Sequence, residues 1–269
     1  MTIRLMIIGD VVGAPGIAMV QKYLPKLKAE HSIDGIIVNG ENAADGKGVT
    51  PRIMKCFQHI GVDLVTSGNH IWYRREIYPY LDAHDDLLRP ANFPSSSPGK
   101  GVGLFKAKDV PVGVINIQGR VFMREFVGCP LKTVETSLTY LRSKTKIIIL
   151  DVHAETTSEK TAIAFYFDGK VSAVVGTHTH VQTADERILP EGTAFITDLG
   201  MCGTLNSVIG VKKEAILYNM QRQMPTRFTL ESKPPYILSG VIVAIDSETG
   251  AARSIERLRI IDSSISLNE

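Results

Sequence analysis

The feature that most constrains the fold of this chain is a repeated alternation of short apolar runs with helical segments. Residues 5–8 and Gly35–Asn39 are continuous apolar runs, as in strands that are buried on both faces. Between them, apolar residues recur at helical spacing up to Glu30. Thr50 caps a second predicted helix that runs to about His59, and a third strand follows at residues 63–67. This order predicts right-handed βαβ units and a parallel sheet.

The rest of the chain adds enough strands for a second sheet. Further strands are predicted at residues 103–107, 112–117, 147–150, 193–197, 237–245 and 254–261, and helices at 133–142 and 158–167. We expect a tight turn at residues 13–16 and a helix cap at Thr157 or Ser158. Since roughly nine or ten strands exceed one comfortable open sheet, we expect an α/β fold of two packed mixed β-sheets flanked by helices. Residues 1–269 are expected to form a single domain.

Composition excludes several classes of protein. The 30 basic and 28 acidic residues give a formal charge of +2, which favours neither a nucleic-acid-binding arm nor a membrane-surface patch. The three cysteines are odd in number and lack CxxC spacing, so a disulfide framework or a zinc knuckle is not expected. No apolar run approaches the length needed to cross a bilayer. We therefore expect a cytoplasmic protein without a stable nucleic-acid partner.

Metal-binding types of side chain follow four of these predicted strands and a further short apolar run at residues 173–175. The five clusters are Gly9-Asp10, Gly40-Glu41-Asn42, Gly68-Asn69-His70, Asp151-Val152-His153 and Gly176-Thr177-His178-Thr179-His180. In an open α/β sheet the carboxyl ends of the strands share one rim, so distant segments can converge there. A single histidine is more often structural, but nitrogen and oxygen donors without thiolate fit a hydrolytic pair of metals. On a strand, His178 and His180 would point to the same side.

In order and spacing, these clusters resemble the YmdB-like branch of the calcineurin-like metallophosphoesterases. Their usual blocks are DxH, GDxxD, GNH, a lone H and GHxH. Here Asp10 lacks the histidine that usually follows, and Glu41-Asn42 stands where an Asp is usual; these departures mark the branch. The stretches HAETTSEK at residues 153–160 and TDLGMCG at 197–203 are also similar to it. The likeness extends from Ile3 to about Ile261.

The resemblance implies a four-layer α/β/β/α sandwich and two divalent or mixed-valence metal ions. One ion would take Asp10, Glu41, Asn42 and His180, and the other Asn69, His153, His178 and again Glu41. Iron or manganese is expected, with zinc as an alternative, because these types of ligand are compatible with all three metals. The implied activity is hydrolysis of a small nucleotide phosphodiester, namely a 2′,3′-cyclic nucleotide opened to a 3′-nucleotide by a metal-bridging hydroxide.

His70 is the residue expected to act in catalysis. A histidine can protonate a leaving alkoxide near neutral pH, although a hydrogen bond that orients a phosphate oxygen is the simpler alternative. Asp151, Glu155 and Asp198 could orient imidazole N–H groups or serve as caps and surface ion pairs. Tyr73, like its neighbour Trp72, could stack a base or pack in the core.

Two further functions fit the same residues. One is a phosphomonoesterase or nuclease that uses this metal centre, although no basic groove favours long nucleic acid. The other is a non-catalytic regulatory protein whose metal site senses or stabilises, since fold alone does not settle function. Homo-oligomers are compatible with either.

Overall fold

The computed structural model describes residues 1–267, in which six α-helices and thirteen strands alternate. The helices are α1 (Gly13–Glu30), α2 (Pro51–His59), α3 (Tyr78–Ala83), α4 (Pro130–Leu141), α5 (Thr157–Tyr166) and α6 (Lys213–Arg222). The strands are β1 (Thr2–Ile8), β2 (Asp10–Val11), β3 (Gly35–Asn39), β4 (Leu64–Thr66), β5 (Val102–Ala107), β6 (Val110–Gln118), β7 (Ile147–His153), β8 (Ala173–Thr177), β9 (Arg187–Ile188), β10 (Ala194–Ile196), β11 (Met201–Thr204), β12 (Tyr236–Asp246) and β13 (Ala252–Asp262).

The strands form two mixed sheets. The first has the order β2-β11-β12-β1-β3-β4, with β13 paired to β12, and the second has the order β5-β6-β7-β8-β10-β9. Parallel pairing joins β1, β3 and β4 in the first sheet, and β6, β7, β8 and β10 in the second. The predicted parallel units near the amino terminus are therefore present, and later antiparallel strands extend them.

Alternation along β1 shows how the layers are stacked. Ile3, Leu5 and Ile7 belong to the apolar cluster between the two sheets, whereas Met6 and Ile8 belong to the cluster beneath α1 and α2. Successive side chains of a strand point to opposite faces, so each face needs its own cover. Burying one such side chain contributes about 1.5–3 kcal/mol, which strongly fixes the register.

The second sheet is covered in the same way on its outer face. Ile148 and Leu150 of β7 pack in one cluster with Val134 and Leu138 of α4, while Ile149 joins the cluster between the sheets. Helices therefore cover both outer faces of two packed sheets. This confirms the predicted α/β/β/α sandwich.

The prediction of a separate turn at residues 13–16 was wrong, because α1 already begins at Gly13. Pro15 fits the first turn of a helix, where its missing N–H has no intrahelical partner to lose. At Gly16 a side chain would place its Cβ 2.3 Å from the carbonyl oxygen of Cys202, so the helix packs directly on β11. Cys202 itself is buried, and burial raises its pKa to about 12.

Other differences lie at element ends and in the less apolar segments. Thr156, rather than Thr157 or Ser158, caps α5 by accepting a hydrogen bond from Glu159 N at 3.4 Å. Helix α6 was not predicted, because none of its residues is buried and its sequence therefore lacks a periodic apolar pattern. Across residues 1–267, none of the helices is both long and apolar enough to span a membrane.

The topology brings the metal-type clusters to one place. Strands β3 and β4 of the first sheet run parallel and lead to Glu41 and Asn69, respectively. In the second sheet, β7 ends at His153 and the parallel strand β8 leads to His178. The carboxyl ends of these strands lie at the edge where the two sheets meet.

Candidate metal centre

Four side chains from the predicted clusters meet at this edge. Glu41, His153 and His178 each offer one atom, and the three atoms lie within 4.8 Å of one another. The Oε2 atom of Glu41 is 3.2 Å from Nε2 of His153, and the Oδ1 atom of Asn69 is 3.1 Å from the same nitrogen. These are the four side chains expected to share one metal ion.

A buried hydrogen-bond chain orients His153. Its Nδ1 lies 2.9 Å from the hydroxyl of Thr177, which donates to Asp151 Oδ1 at 2.8 Å. A hydroxyl that donates to the carboxylate must accept from the ring, so Nδ1 carries a proton. The second carboxylate oxygen of Asp151 accepts from Thr66 Oγ1 at 2.5 Å. Nε2 of His153 is thereby directed into the cluster.

The two histidines of the GTHTH segment are held in the same manner. His178 donates from Nε2 to Glu155 Oε2 at 3.0 Å, so its Nδ1 faces Nε2 of His153 at 3.1 Å. His180 donates from Nδ1 to the carbonyl oxygen of Ile209 at 2.9 Å, which leaves its Nε2 free to accept. Metal-binding histidines usually have one ring nitrogen fixed by such an outer partner, which sets the tautomer.

Three buried oxygens of the remaining ligand set accept no hydrogen bond within residues 1–267. They are Oδ1 of Asp10, Oε1 of Glu41 and Oδ1 of Asn42. Asn42 is oriented through its nitrogen, which donates to the carbonyl oxygen of Gly46 at 2.9 Å. Leaving a buried acceptor without a donor costs about 1–3 kcal/mol, and a bound cation would offset that cost. These oxygens thus fit a metal ion.

The electrostatics of the site favour a positive charge beside its buried carboxylates. Burial raises the pKa of Asp10 to about 6. Burial also opposes ionisation of His153 and Glu41, but their mutual attraction outweighs it: the pKa of His153 rises to about 9 and that of Glu41 falls well below its usual value. Burial, followed by repulsion from His153, lowers the pKa of His178 to about 3. A proton or a metal ion is favoured beside Glu41.

The two expected ligand sets are assembled to different extents. Glu41, His153 and His178 offer atoms within 4.8 Å of one another and Asn69 contacts His153 at 3.1 Å, whereas Asp10 and His180 are not members of this group. Asp10 is linked to that group because its Oδ2 accepts from the backbone N–H of His178 at 3.1 Å. The structure therefore brings the side chains of one set closer together than those of the other.

The two histidines of the GTHTH segment lie in the loop that follows strand β8. Strand β8 ends at Thr177, and both histidines that follow have left-handed backbones, with φ of 99° at His178 and 67° at His180. Non-glycine residues in this region cost about 1–3 kcal/mol and often occur at functional sites.

His70 also faces the site. Its Nδ1 is 3.0 Å from the side-chain nitrogen of Asn42 and 3.3 Å from Oε1 of Glu41. The side chain is 20% exposed, so one part of the ring contacts the buried cluster while another part is open to solvent.

The residues after His70 have separate surroundings. Trp72 packs in the core and makes edge contacts with Tyr78 and Phe93, whereas Tyr73 is 56% exposed. Arg74 donates to the carbonyl oxygen of Ala44 at 2.8 Å. Core packing therefore explains Trp72 but leaves Tyr73 without such a role.

An ion pair beneath the GTHTH loop was missed from the sequence. Lys160 of α5 is fully buried, and its Nζ lies 2.6 Å from Oδ2 of Asp198. The same oxygen accepts from Oγ1 of Thr179 at 2.8 Å, and Oδ1 accepts from Gly200 N at 2.8 Å. Asp198 thus holds the loop and, unlike Glu155, contacts no imidazole. A lysine in a helix usually lies on the surface, so only its place in HAETTSEK signalled a role.

We predict that Lys160→Met lowers the free energy of unfolding by about 3–5 kcal/mol, because Asp198 would remain buried without its partner. Urea denaturation monitored by circular dichroism measures this change. Lys132→Met on the exposed face of α4 is the matched control and should change stability by less than about 0.5 kcal/mol. Equal stability of the two variants would contradict the structural role of the pair.

Comparisons with known proteins agree with this geometry. A sequence model for the YmdB-like protein family matches residues 6–258. The chain is 46% identical over 259 residues to the 2′,3′-cyclic-nucleotide 2′-phosphodiesterase of Bacillus subtilis strain 168, covering 96% of this chain and 97% of that protein.

Two crystal structures share the fold closely. A phosphatase from Mycoplasma pneumoniae superposes with a TM-score of 0.91 at 34% identity, covering 98% of this chain and 95% of that one. A hypothetical protein from Thermus thermophilus superposes with a TM-score of 0.88 at 36% identity, covering 97% of this chain and 100% of that one. These similarities confirm the resemblance drawn from the sequence blocks.

Proposed function

This chain belongs to the YmdB-like protein family, and we propose that it is a metal-dependent phosphodiesterase that opens 2′,3′-cyclic nucleotides to 3′-nucleotides. The similarity to a curated 2′,3′-cyclic-nucleotide 2′-phosphodiesterase over nearly the whole chain supports the reaction class. The substrate would be a small nucleotide, in keeping with the nearly neutral formal charge of +2.

The observation that carries the proposal is the convergence of lone pairs from histidine, asparagine and carboxylate side chains. In the proposed assignment, Asn69, Glu41, His153 and His178 hold one metal ion, and Asp10, Glu41, Asn42 and His180 hold the other. Nδ1 of His178 faces Nε2 of His153 at 3.1 Å, a separation at which a shared cation stabilises both nitrogens.

The charge of this ligand set suits an anionic substrate. Only Asp10 and Glu41 contribute negative charge, because Asn42 and Asn69 are neutral amides and the histidines bind metals in their neutral form. A pair of divalent ions would therefore leave the site positive, and such ions act as Lewis acids that activate water. Iron or manganese is proposed, with zinc compatible with the same donors.

His70 is proposed as the general acid. Its ring contacts Asn42 and Glu41 on one side and is partly open to solvent, so a substrate oxygen can reach it. In this role His70 delivers a proton to the 2′ oxygen as the bond between that oxygen and phosphorus breaks and the oxygen of a water molecule bonds to phosphorus in its place. The phosphate then remains on the 3′ oxygen.

A panel of substrates tests the proposed function. We expect protein loaded with Mn²⁺ to hydrolyse adenosine 2′,3′-cyclic phosphate to adenosine 3′-monophosphate faster than it acts on a phosphomonoester or on single-stranded RNA, as measured by chromatography. Glu41→Gln should abolish turnover, since the neutral amide cannot replace the shared carboxylate, while circular dichroism shows an intact fold.

Other outcomes separate the alternatives. Preferred hydrolysis of the monoester or of RNA would indicate a phosphomonoesterase or a nuclease with the same centre. Protein that binds Mn²⁺ and hydrolyses no phosphodiester would indicate a regulatory metal-binding protein. Full activity of Glu41→Gln would contradict the ligand assignment.

The role of His70 has a separate test. We expect His70→Ala to lower kcat by about 10²–10⁴-fold because the leaving oxygen loses its proton donor, while the metal content is unchanged. Elemental analysis of the purified variant measures that content. His59→Ala, an exposed histidine at the end of α2, is the matched control and should retain full activity. Loss of metal from His70→Ala would instead make His70 a ligand.

A further inference from the structure

A cavity of about 730 Å³ opens beside the candidate metal centre. Its walls come from the loop at residues 45–47, from Tyr73 and Arg74, and from Val211 with residues 227–230. Ligand sites for small molecules typically measure about 300–1,000 Å³, so this volume suits a nucleotide.

The cavity shares structural elements with the metal centre. The carbonyl oxygen of Gly46 in its wall accepts from Asn42 at 2.9 Å. Tyr73 ends the 3-10 segment Asn69–Tyr73, which also contains His70, and the rings of His70 and Tyr73 make an edge contact with centroids 5.1 Å apart. A substrate whose phosphate lies at His70 can therefore extend into this cavity.

Two exposed aromatic side chains line the cavity. Tyr73 is 56% exposed and Phe228 is 53% exposed, so neither ring is explained by burial in the core. Exposing a large aromatic ring to water is unfavourable. A nucleic-acid base can cover such a ring by stacking on its face.

Charge in the same cavity favours an anion. Arg74 pairs with the carboxylate of Asp45 at 3.1 Å, which neutralises both groups. Lys47 and Arg227 line the same cavity, and neither forms an ion pair with any residue in 1–267. The ammonium of Lys47 lies 4.9 Å from the ring centroid of Tyr73, so positive charge and an aromatic face occupy the same end of the cavity.

We propose that this cavity binds the nucleoside of the substrate, with the base against Tyr73 and Phe228 and a 5′-phosphate against Lys47 and Arg227. The proposal rests on the proposed function, because it takes the cyclic phosphate to lie at His70. A nucleotide that carries a 5′-phosphate, such as the cyclic-phosphate end of a short oligonucleotide, would then be a better substrate than a free cyclic nucleoside.

Steady-state kinetics of the full chain with three substrates test this subsite. They are adenosine 2′,3′-cyclic phosphate, the same compound with a 5′-phosphate, and ribose 2′,3′-cyclic phosphate, which lacks the base. We expect Tyr73→Leu and Phe228→Leu to raise KM for both adenosine substrates about tenfold or more through lost stacking, with kcat little changed. KM for the base-free substrate should stay the same.

The basic side chains of the cavity, Lys47 and Arg227, have a separate test. Lys47→Met and Arg227→Met should raise KM for the substrate with a 5′-phosphate more than KM for the free cyclic nucleoside, and so remove the preference between the two substrates. Tyr140→Leu on α4 and Phe165→Leu on α5 are matched controls, since these side chains are 54% and 53% exposed outside this cavity, and both variants should behave as wild type.

Binding of adenosine 3′-monophosphate, followed by calorimetry, gives a readout that does not depend on turnover. Weaker binding by Tyr73→Leu and Phe228→Leu than by the two controls is expected. If both variants keep the wild-type KM and affinity, the subsite is overturned while cyclic-nucleotide hydrolysis stands. If wild-type protein hydrolyses none of the three substrates, the proposed function fails, and calorimetry alone decides the subsite.

Discussion

The convergence of buried histidine nitrogens and carboxylate oxygens on one space is the interaction on which the rest of this site depends. His153 and His178 each use one ring nitrogen to donate outward, to Thr177 and Glu155, and turn the other inward at a separation of 3.1 Å. Buried oxygens of Asp10 and Asn42 face the same region without donors. Such an arrangement is costly for an uncharged cavity, and it is stabilised by a nearby positive charge such as a bound cation.

The two-sheet architecture is what makes this convergence possible. Glu41 and Asn69 follow strands of the first sheet, whereas His153 and His178 come from the second. The apolar cluster between the sheets fixes their spacing, and helices on both outer faces fix their orientation. A close-packed interior transmits small displacements, so residues that contact no substrate, such as the buried Lys160, still determine where the GTHTH loop lies.

Much of the fold was readable from the sequence because its signals are local. Apolar runs identify β1, β3 and β7, and Thr50 before Pro51 marks the start of α2 as the structure has it. The sequence signals failed in two places, for different reasons. Helix α1 already starts at Gly13, within a glycine-rich stretch that predicts a turn. Helix α6 has no buried face, so its sequence shows no apolar residues at helical spacing.

The sequence predicted which types of residue form the site, but not the hydrogen bonds that orient their side chains. Cluster order pointed to Glu41, His153 and His178, which do lie together. The carbonyl oxygen of Ile209 that orients His180 belongs to the backbone and leaves no trace in the sequence. Thr177 lay inside the GTHTH segment, yet its role depends on Asp151, which is distant in the chain.

The most direct test of the metal centre is anomalous X-ray diffraction from crystals grown with Mn²⁺. We expect two anomalous peaks about 3.5–4 Å apart, one against His153 and His178 and the other against Asp10 and Asn42, with Glu41 contacting both. Density with no such peaks under saturating Mn²⁺, or peaks held by other residues, would contradict the proposed pair of metal ions.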